Sequence, residues 1–413
     1  MPHFEPITAV LACDHAYIAG GQAKVMFDSA RGLKALGHRP IIFAAAGPVE
    51  SALREDGIEV VCLGQADILS NPSRANAALQ GLWNAPAAAA LAQLLAGLPK
   101  ARTVVHVHGW AKALSPSIAG PIKRSGLPAC YTLHEYFLFC PNGGFYNFQT
   151  QKICPLEPMS ARCLATHCDS RSYPQKLWRS ARQFAMQSVA DLPGAFGDYV
   201  LVSPFQRAIA KDRFPASARV HLISNPIDAA DLGPKPEAAQ GEFLFAGRIS
   251  PEKGPLFFAE AARRAGVTPV FAGDGPAAAE LRAKYPEAKL LGWLAPAQMR
   301  DAMRGARALV FPSLWYEAQG LTALEAKALA TPVLVSDACA AREEIEDGVA
   351  GLWFASGDVE SLAAGLKRLQ DDELTRRLSS GAYRSFWGRP PSLQEHAAAI
   401  SRLYFQMLAR RKN

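Results

Sequence analysis

Short apolar runs alternate with helix-spaced stretches twice along this chain, on either side of a segment rich in proline and glycine. The first series opens with ITAVLAC and continues through PIIFAAA, TVVHVHG, ACYTLHE and DYVLVSP. Between the first two runs, Met26, Ala30, Leu33 and Leu36 recur at helix spacing and the pattern stops at Gly37. APAAAALAQLLAGL supplies a second helical stretch. The break falls in VHLISNPIDAADLGPKPEAAQG, around Asn225-Pro226. A second series then runs EFLFAGR, TPVFAGDG, AKLLGW, ARALVFPS and TPVLVS, each followed by helix-like sequence. Strand and helix in alternation demand a parallel sheet covered by helices, because a parallel crossover needs a connection long enough to span the sheet. The chain of 413 residues also exceeds what one core ordinarily organises. Two doubly wound α/β domains follow, with a cleft where the carboxyl ends of their strands face each other.

Composition narrows the setting. Half the residues are hydrophobic (49%) and no window approaches the roughly 18 apolar residues of a membrane span. The opening MPHFEPITAVLACDHAY has neither the basic nor the apolar region of an export signal, so a cytoplasmic protein is expected. Of 44 basic and 37 acidic residues, 21 and 14 fall in residues 1–222, which leaves 23 of each in the remainder. The net charge of +7 therefore belongs to the first half. Such a bias suits an anionic partner such as phospholipid headgroups, a diphosphate-linked lipid or nucleic acid, and equally a solvated helix surface. No nucleic-acid module is visible, so nucleic acid is not expected.

The second half carries the chemistry. In FPSLWYEAQGLTALEAKALATPVL, the loop after a strand holds Glu317, and Gly320 precedes a helix that contains Glu325. A helix start preceded by glycine leaves the amides of Gly320, Leu321 and Thr322 to hold a phosphate. Carboxylates beside an anion would repel it unless they met hydroxyls, and sugar hydroxyls fit that need. FLFAGRISPEKG ends a strand with Gly247 and Arg248 and adds Lys253, two cations suited to a diphosphate. FAGDGP ends another strand in a turn at Gly273 and Asp274, where backbone can approach a ligand closely. Any one of these is weak alone; together and in this order they are specific.

These residues resemble a known family. AGRISPEKG, AGDGP, LGWL, FPSLWYEAQGLTALEAKALATPVLVSD and DGVAGLWF, within residues 241–385, are similar to the nucleotide-binding domain of the retaining glycosyltransferases of GT-B fold, the glycosyl transferases group 1. The resemblance implies that Glu317 contacts the donor sugar, Glu325 the ribose, and Arg248 and Lys253 the diphosphate. It departs at Ala318-Gln319, where the family more often has a small residue and then an aromatic one, and donor choice is open for that reason.

In the first half, YIAGGQAKV resembles the family's glycine loop at Gly20 and Gly21, and YTLHEYFLFCP places His134 at a strand end, near the reacting centre by the same resemblance. His106 and His108 alternate through VHVHG, so one of them is expected to point into the fold. Cys140, Cys154, Cys163 and Cys168, separated by 13, 8 and 4 residues, form a candidate structural zinc site, with His167 able to replace one thiol; free thiols or disulfides are the alternative. Beyond them YPQKLWRSARQFAMQSV mixes Lys176, Arg179 and Arg182 with Trp178 and Phe184, as an interfacial helix on anionic lipid would, or a packing helix.

The expectation is thus a GT-B arrangement of two facing Rossmann-like domains. Residues 1–222 form the acceptor side with a cysteine-rich insert near 140–168, residues 226–384 the nucleotide-sugar side, and 385–413 a helical segment crossing back. The implied activity is retaining, metal-independent transfer of a sugar from a nucleotide-sugar, UDP first and GDP second, to a saccharide or lipid-linked saccharide, in cell-surface polysaccharide or glycolipid synthesis. No catalytic cofactor is expected, since no Asp-x-Asp motif stands where a donor would bind. The setting is the cytoplasm, at the inner face of the membrane for a lipid-linked acceptor. A sugar-nucleotide epimerase, a phosphorylase, or a non-catalytic metal-bearing scaffold on the same fold are the rivals.

Overall fold

The computed structural model describes residues 5–411. In chain order the strands are β1 (Thr8–His15), β2 (Arg39–Ala46), β3 (Glu59–Gln65), β4 (Thr103–Val107), β5 (Ala129–Leu133), β6 (Tyr146–Asn147), β7 (Lys152–Ile153), β8 (Asp198–Leu201) and β9 (Arg219–Leu222). After the break come β10 (Phe243–Ala246), β11 (Pro269–Ala272), β12 (Lys289–Gly292), β13 (Ala308–Phe311), β14 (Val333–Ser336) and β15 (Gly351–Phe354). The first sheet has the order β3-β2-β1-β4-β5-β8-β9 and the second β12-β11-β10-β13-β14-β15, and all their pairings are parallel. Both orders reverse direction beside a central strand, at β1/β4 and at β10/β13. Ligand crevices open at such switch points.

Burial explains why the alternation was legible. Every residue of β1, β4, β5, β8, β10, β11, β13 and β14 is buried, so these strands read as unbroken apolar runs. The three strands of the main sheets that the sequence reading passed over, β3, β9 and β15, are all sheet edges. Their partly exposed residues break the apolar run, and β9 lies at the threshold of the Pro/Gly-rich break.

The two domains touch around the cleft. Ser203 Oγ donates to the Ala318 carbonyl (2.6 Å), the Phe205 amide to Glu343 (2.9 Å) and the Asn225 amide to Gln319 Oε1 (3.2 Å). A helix over Asp372–Trp387 closes the second domain, and Leu393–Arg411 then packs on the first. Its His396 bonds Ser29 Oγ (2.8 Å), Ser401 bonds His38 (2.7 Å) and Tyr404 bonds His106 (2.7 Å). Residues 1–4 and 412–413, the ends of the two terminal segments expected from sequence, lie outside the described residues.

Candidate functional site

The cleft between the sheets has a volume of about 360 Å³, and its walls are built largely by two helix starts. On the first domain, Gly20 precedes the helix Gly21–Ala35. On the second, Gly320 precedes the helix Leu321–Ala328. They meet across the cleft: a Cβ added at Gly21 would lie 3.1 Å from the Leu321 side chain. Two helix amino termini therefore converge, each with first-turn amides that have no partner inside their helix.

Gly320 is fixed by geometry. Its φ is +86°, and a Cβ there would stand 2.6 Å from the Ala341 methyl. Gly320→Ala is accordingly expected to destabilise the fold by about 2 kcal/mol or more, from the left-handed backbone and the collision together. Gly305→Ala is its control, a helical position with nothing within 4 Å. Urea unfolding of both variants checks this; equal stability would contradict it.

At the centre lies Glu317, which is 9% exposed. Its Oε1 accepts from Ser313 Oγ (2.8 Å), Trp315 Nε1 (2.8 Å) and the Lys253 ammonium. Burial alone would push this carboxyl up, but the charge of Lys253 and the hydrogen bonds from Lys253, Trp315 and Ser313 outweigh it and hold the group below the usual carboxylate range. Lys253 also lies over the Trp315 ring, 5.5 Å from its centroid. Glu325, four residues into the neighbouring helix, behaves oppositely: burial and the charges of Asp228 and Asp28 raise its pKa against the pull of Lys24.

His134 lines the same cleft, and its Nε2 is 2.9 Å from His108 Nδ1. Burial, with His396 adding to it, pushes the His134 imidazole down to about 3, so the ring is neutral at physiological pH. Both His106 and His108 are buried, with ring centroids 4.2 Å apart. The expectation that only one points inward is corrected: residues two apart along a strand share a face.

The structure thus brings together Gly21, His134, Lys253, Glu317, Gly320, Leu321, Thr322 and Glu325 as lining residues. Gly20, Arg248, Gly247, Gly273 and Asp274 are not among them. Arg248 is largely exposed and turned onto Glu252 (2.7 Å). Gly273 answers to a neighbouring loop, since a Cβ there would lie 1.9 Å from the Gly247 carbonyl oxygen. Gln22, Lys24 and Asn225 also line the cleft, as does Gln319, the departure beside Glu317 on which donor choice turns. Lys24 sits in the first turn after Gly20-Gly21 and bonds Asp28 (3.1 Å); its place in that loop was the available signal. Asn225 reaches the cleft from the segment expected to link the domains.

The cysteine insert gathers thiols around a lysine. Cys140, Cys163 and Cys168 are buried, Cys154 is half-buried, and all four are free thiols. Among the described residues, no three His, Cys, Asp or Glu side chains converge to hold a metal ion. The Lys176 ammonium instead lies 3.3 Å from Cys163 Sγ, in the field of Cys168 and Cys140 as well. His167 stacks edge-on to Tyr173.

Known proteins show the same architecture. Residues 19–231 match the family model for Glycosyltransferase Family 4, and residues 240–372 that for Glycosyl transferases group 1. The chain belongs to the group 1 glycosyltransferases. Its two facing parallel-sheet domains are the GT-B fold of that family. The crystal structure of Anabaena HepE in complex with UDP and glucose superposes with a TM-score of 0.68 at 16% identity, covering 97% of this chain and 100% of that one. Among curated relatives, the glycogen synthase of Mycobacterium tuberculosis is 29% identical over 204 residues, 46% of this chain and 49% of its own. The chain spans about half the length of that relative. The alpha-maltose-1-phosphate synthase of Mycolicibacterium smegmatis is 27% identical over 344 residues, 75% of this chain and 79% of its own.

Proposed function

We propose that this group 1 glycosyltransferase moves a sugar from a nucleotide-sugar, with UDP as first carrier and GDP as second, to a saccharide or lipid-linked saccharide, with retention at the anomeric carbon. One observation carries the proposal: the Lys253 and Glu317 pair sits beside two convergent helix starts in a single cleft. Lys253 and the amides of Leu321 and Thr322 supply positive potential where a diphosphate leaves, already oriented before reaction. Glu317 keeps Oε2 for a sugar hydroxyl while its Oε1 is occupied by three donors. Glu325, more easily protonated, faces the ribose, and neutral His134 bonds the donor sugar. The acceptor proton goes to the departing phosphate oxygen, so no protein nucleophile is needed.

HepE with UDP and glucose supports UDP as carrier. A 30% identical relative over 155 residues, the Escherichia coli galactosyltransferase acting on GlcNAc-diphosphoundecaprenol, supports a lipid-linked acceptor, and the lipopolysaccharide 1,2-N-acetylglucosaminetransferase of Salmonella typhimurium, 27% identical over 229 residues, a role in surface polysaccharide synthesis. Among the described residues no helix is long and apolar enough to cross a membrane. The proposed setting is the cytoplasm, at the inner membrane face. Arg248, turned away onto Glu252, enters this scheme only by swinging from that partner to the diphosphate.

Proton NMR of the product, with chelator present throughout, tests the chemistry. The same anomeric configuration as the donor and an undiminished rate are expected. An inverted product, or turnover lost with chelator and restored by a divalent metal, would overturn it. Product formed from donor alone would indicate an epimerase, and dependence on inorganic phosphate a phosphorylase.

A further inference from the structure

The helix Tyr173–Phe184 is turned inside out. Its three cations face the protein: Lys176 among the thiols, Arg179 on buried Asp169 (2.6 Å), and Arg182 on the Ala111 carbonyl (2.6 Å) between the rings of Trp110, Phe137 and Trp178. Of the two readings of this segment, its cations follow the packing helix and do not meet a lipid surface directly. What the helix turns outward is Tyr173, Leu177 and Phe184, with Leu177 45% and Phe184 57% exposed. Beside it runs the helix Arg74–Leu82, joined through the Trp178 indole N–H to the Ala78 carbonyl (3.2 Å) and through Trp178 packed on Gly81. That second helix leaves Leu79 66% exposed, and Trp83 at its end is 46% exposed. Five large apolar side chains are thus exposed on and beside two adjoining helices, which is more than scattered surface hydrophobics.

The surrounding charge is of one sign. Residues 68–134 contain no Asp or Glu, and residues 158–190 contain only Asp169, which is buried. Arg74, Arg162 and Arg171 are exposed at the rim. Arg74 and Arg162 have no carboxylate partner among the described residues, and the Tyr173 hydroxyl ties the helix that bears Arg162 to this face through the Leu164 carbonyl (2.8 Å). Both helices hang from the carboxyl edge of the first sheet: Gln80 holds the Ala66 carbonyl just past β3, and Arg182 holds the Ala111 carbonyl beyond β4. The cleft opens on that edge.

We propose that this paired face, Leu177 and Phe184 with Leu79 and Trp83, docks the protein on an anionic phospholipid surface. Apolar side chains enter the headgroup boundary and the rim arginines meet lipid phosphates, the combination that holds peripheral proteins reversibly. The inference does not depend on the transfer chemistry, so vesicle binding and UDP binding can fail separately.

The test is co-sedimentation of the full chain with vesicles of equal parts phosphatidylcholine and phosphatidylglycerol, and with phosphatidylcholine alone. Binding to the anionic vesicles is expected to be at least about tenfold tighter. The double variant Leu177→Gln, Phe184→Gln should lose about tenfold or more in that affinity, with melting temperature and UDP binding unchanged. No wild-type binding, equal binding by the double variant, or a concentration-dependent dimer dissolved by the same substitutions would overturn the proposal, the last by showing that a second copy covers the face.

Discussion

Lys253→Ala is expected to lower kcat/KM by about 10²–10³-fold, the usual effect of removing one oriented donor from a developing anion. The structure adds a second consequence. Glu317 is buried and its carboxylate is kept ionised by Lys253, so the variant leaves a carboxylate without its counter-charge. The second domain should therefore also melt at lower temperature, while remaining folded at 25 °C. Ser313→Ala separates the two effects: it removes one hydrogen bond to Glu317 and leaves the ion pair, so its loss of activity should be within about tenfold. Lys253→Arg should not rescue, because a planar guanidinium cannot take the compact position of an ammonium against Trp315. Glu317→Ala combined with Lys253→Ala should cost little more than either alone, since the two act as one unit. Full turnover in either single variant would refute the assignment of the site.

The second large effect is acid instability of the first domain. Burial pushes His106 and His134 down to about 3 and His108 well below its ordinary value, and His38 and His396 move the same way. The unfolded chain then binds more protons than the folded one below about pH 6.5, so stability present above that value is lost as the pH falls toward 3. Each fully shifted histidine contributes at most ~1.4 kcal/mol per pH unit in that window. Glu135 works against them: burial raises it to about 7, so between about 4.5 and 7 it favours the folded state as pH falls. With several histidines opposing one strongly raised carboxyl, the balance is destabilising. The melting temperature of the first domain should drop by about 5–10 °C between about pH 7.5 and pH 5.5. Glu135→Gln should steepen the fall, and a melting temperature flat across that range would contradict the burial argument.

Which parts of this molecule were legible in its sequence follows from burial. Central strands such as β1 and β13 are closed on both faces and must be apolar throughout. Edge strands such as β3 and β15 keep one side in water and lose the signal. The site divides similarly. Glu317, Gly320 and Lys253 stand in turns at element ends and Glu325 follows in the helix, and the order of these motifs, with the family they resemble, singles them out. Gln22 and Asn225 are ordinary amides whose place in the cleft comes only from bringing the two domains together. Lys176, Arg179 and Arg182 show a further limit. Their spacing puts them on one helix face, but nothing local says which face is inside; Asp169, the thiols and three aromatic rings decide that from other segments.

The central claim is a nucleotide site between Lys253 and the Gly320 helix start, and a thermal-shift panel of UDP, GDP, ADP and CMP on wild type and Lys253→Ala tests it most directly. A ligand that binds the native state raises its melting temperature by mass action, by about 2.7 kcal/mol of stability at a hundredfold excess over Kd. The account predicts a selective rise with UDP, reduced or abolished in the variant. A UDP shift of equal size in both proteins, or no shift with any nucleotide, would contradict it.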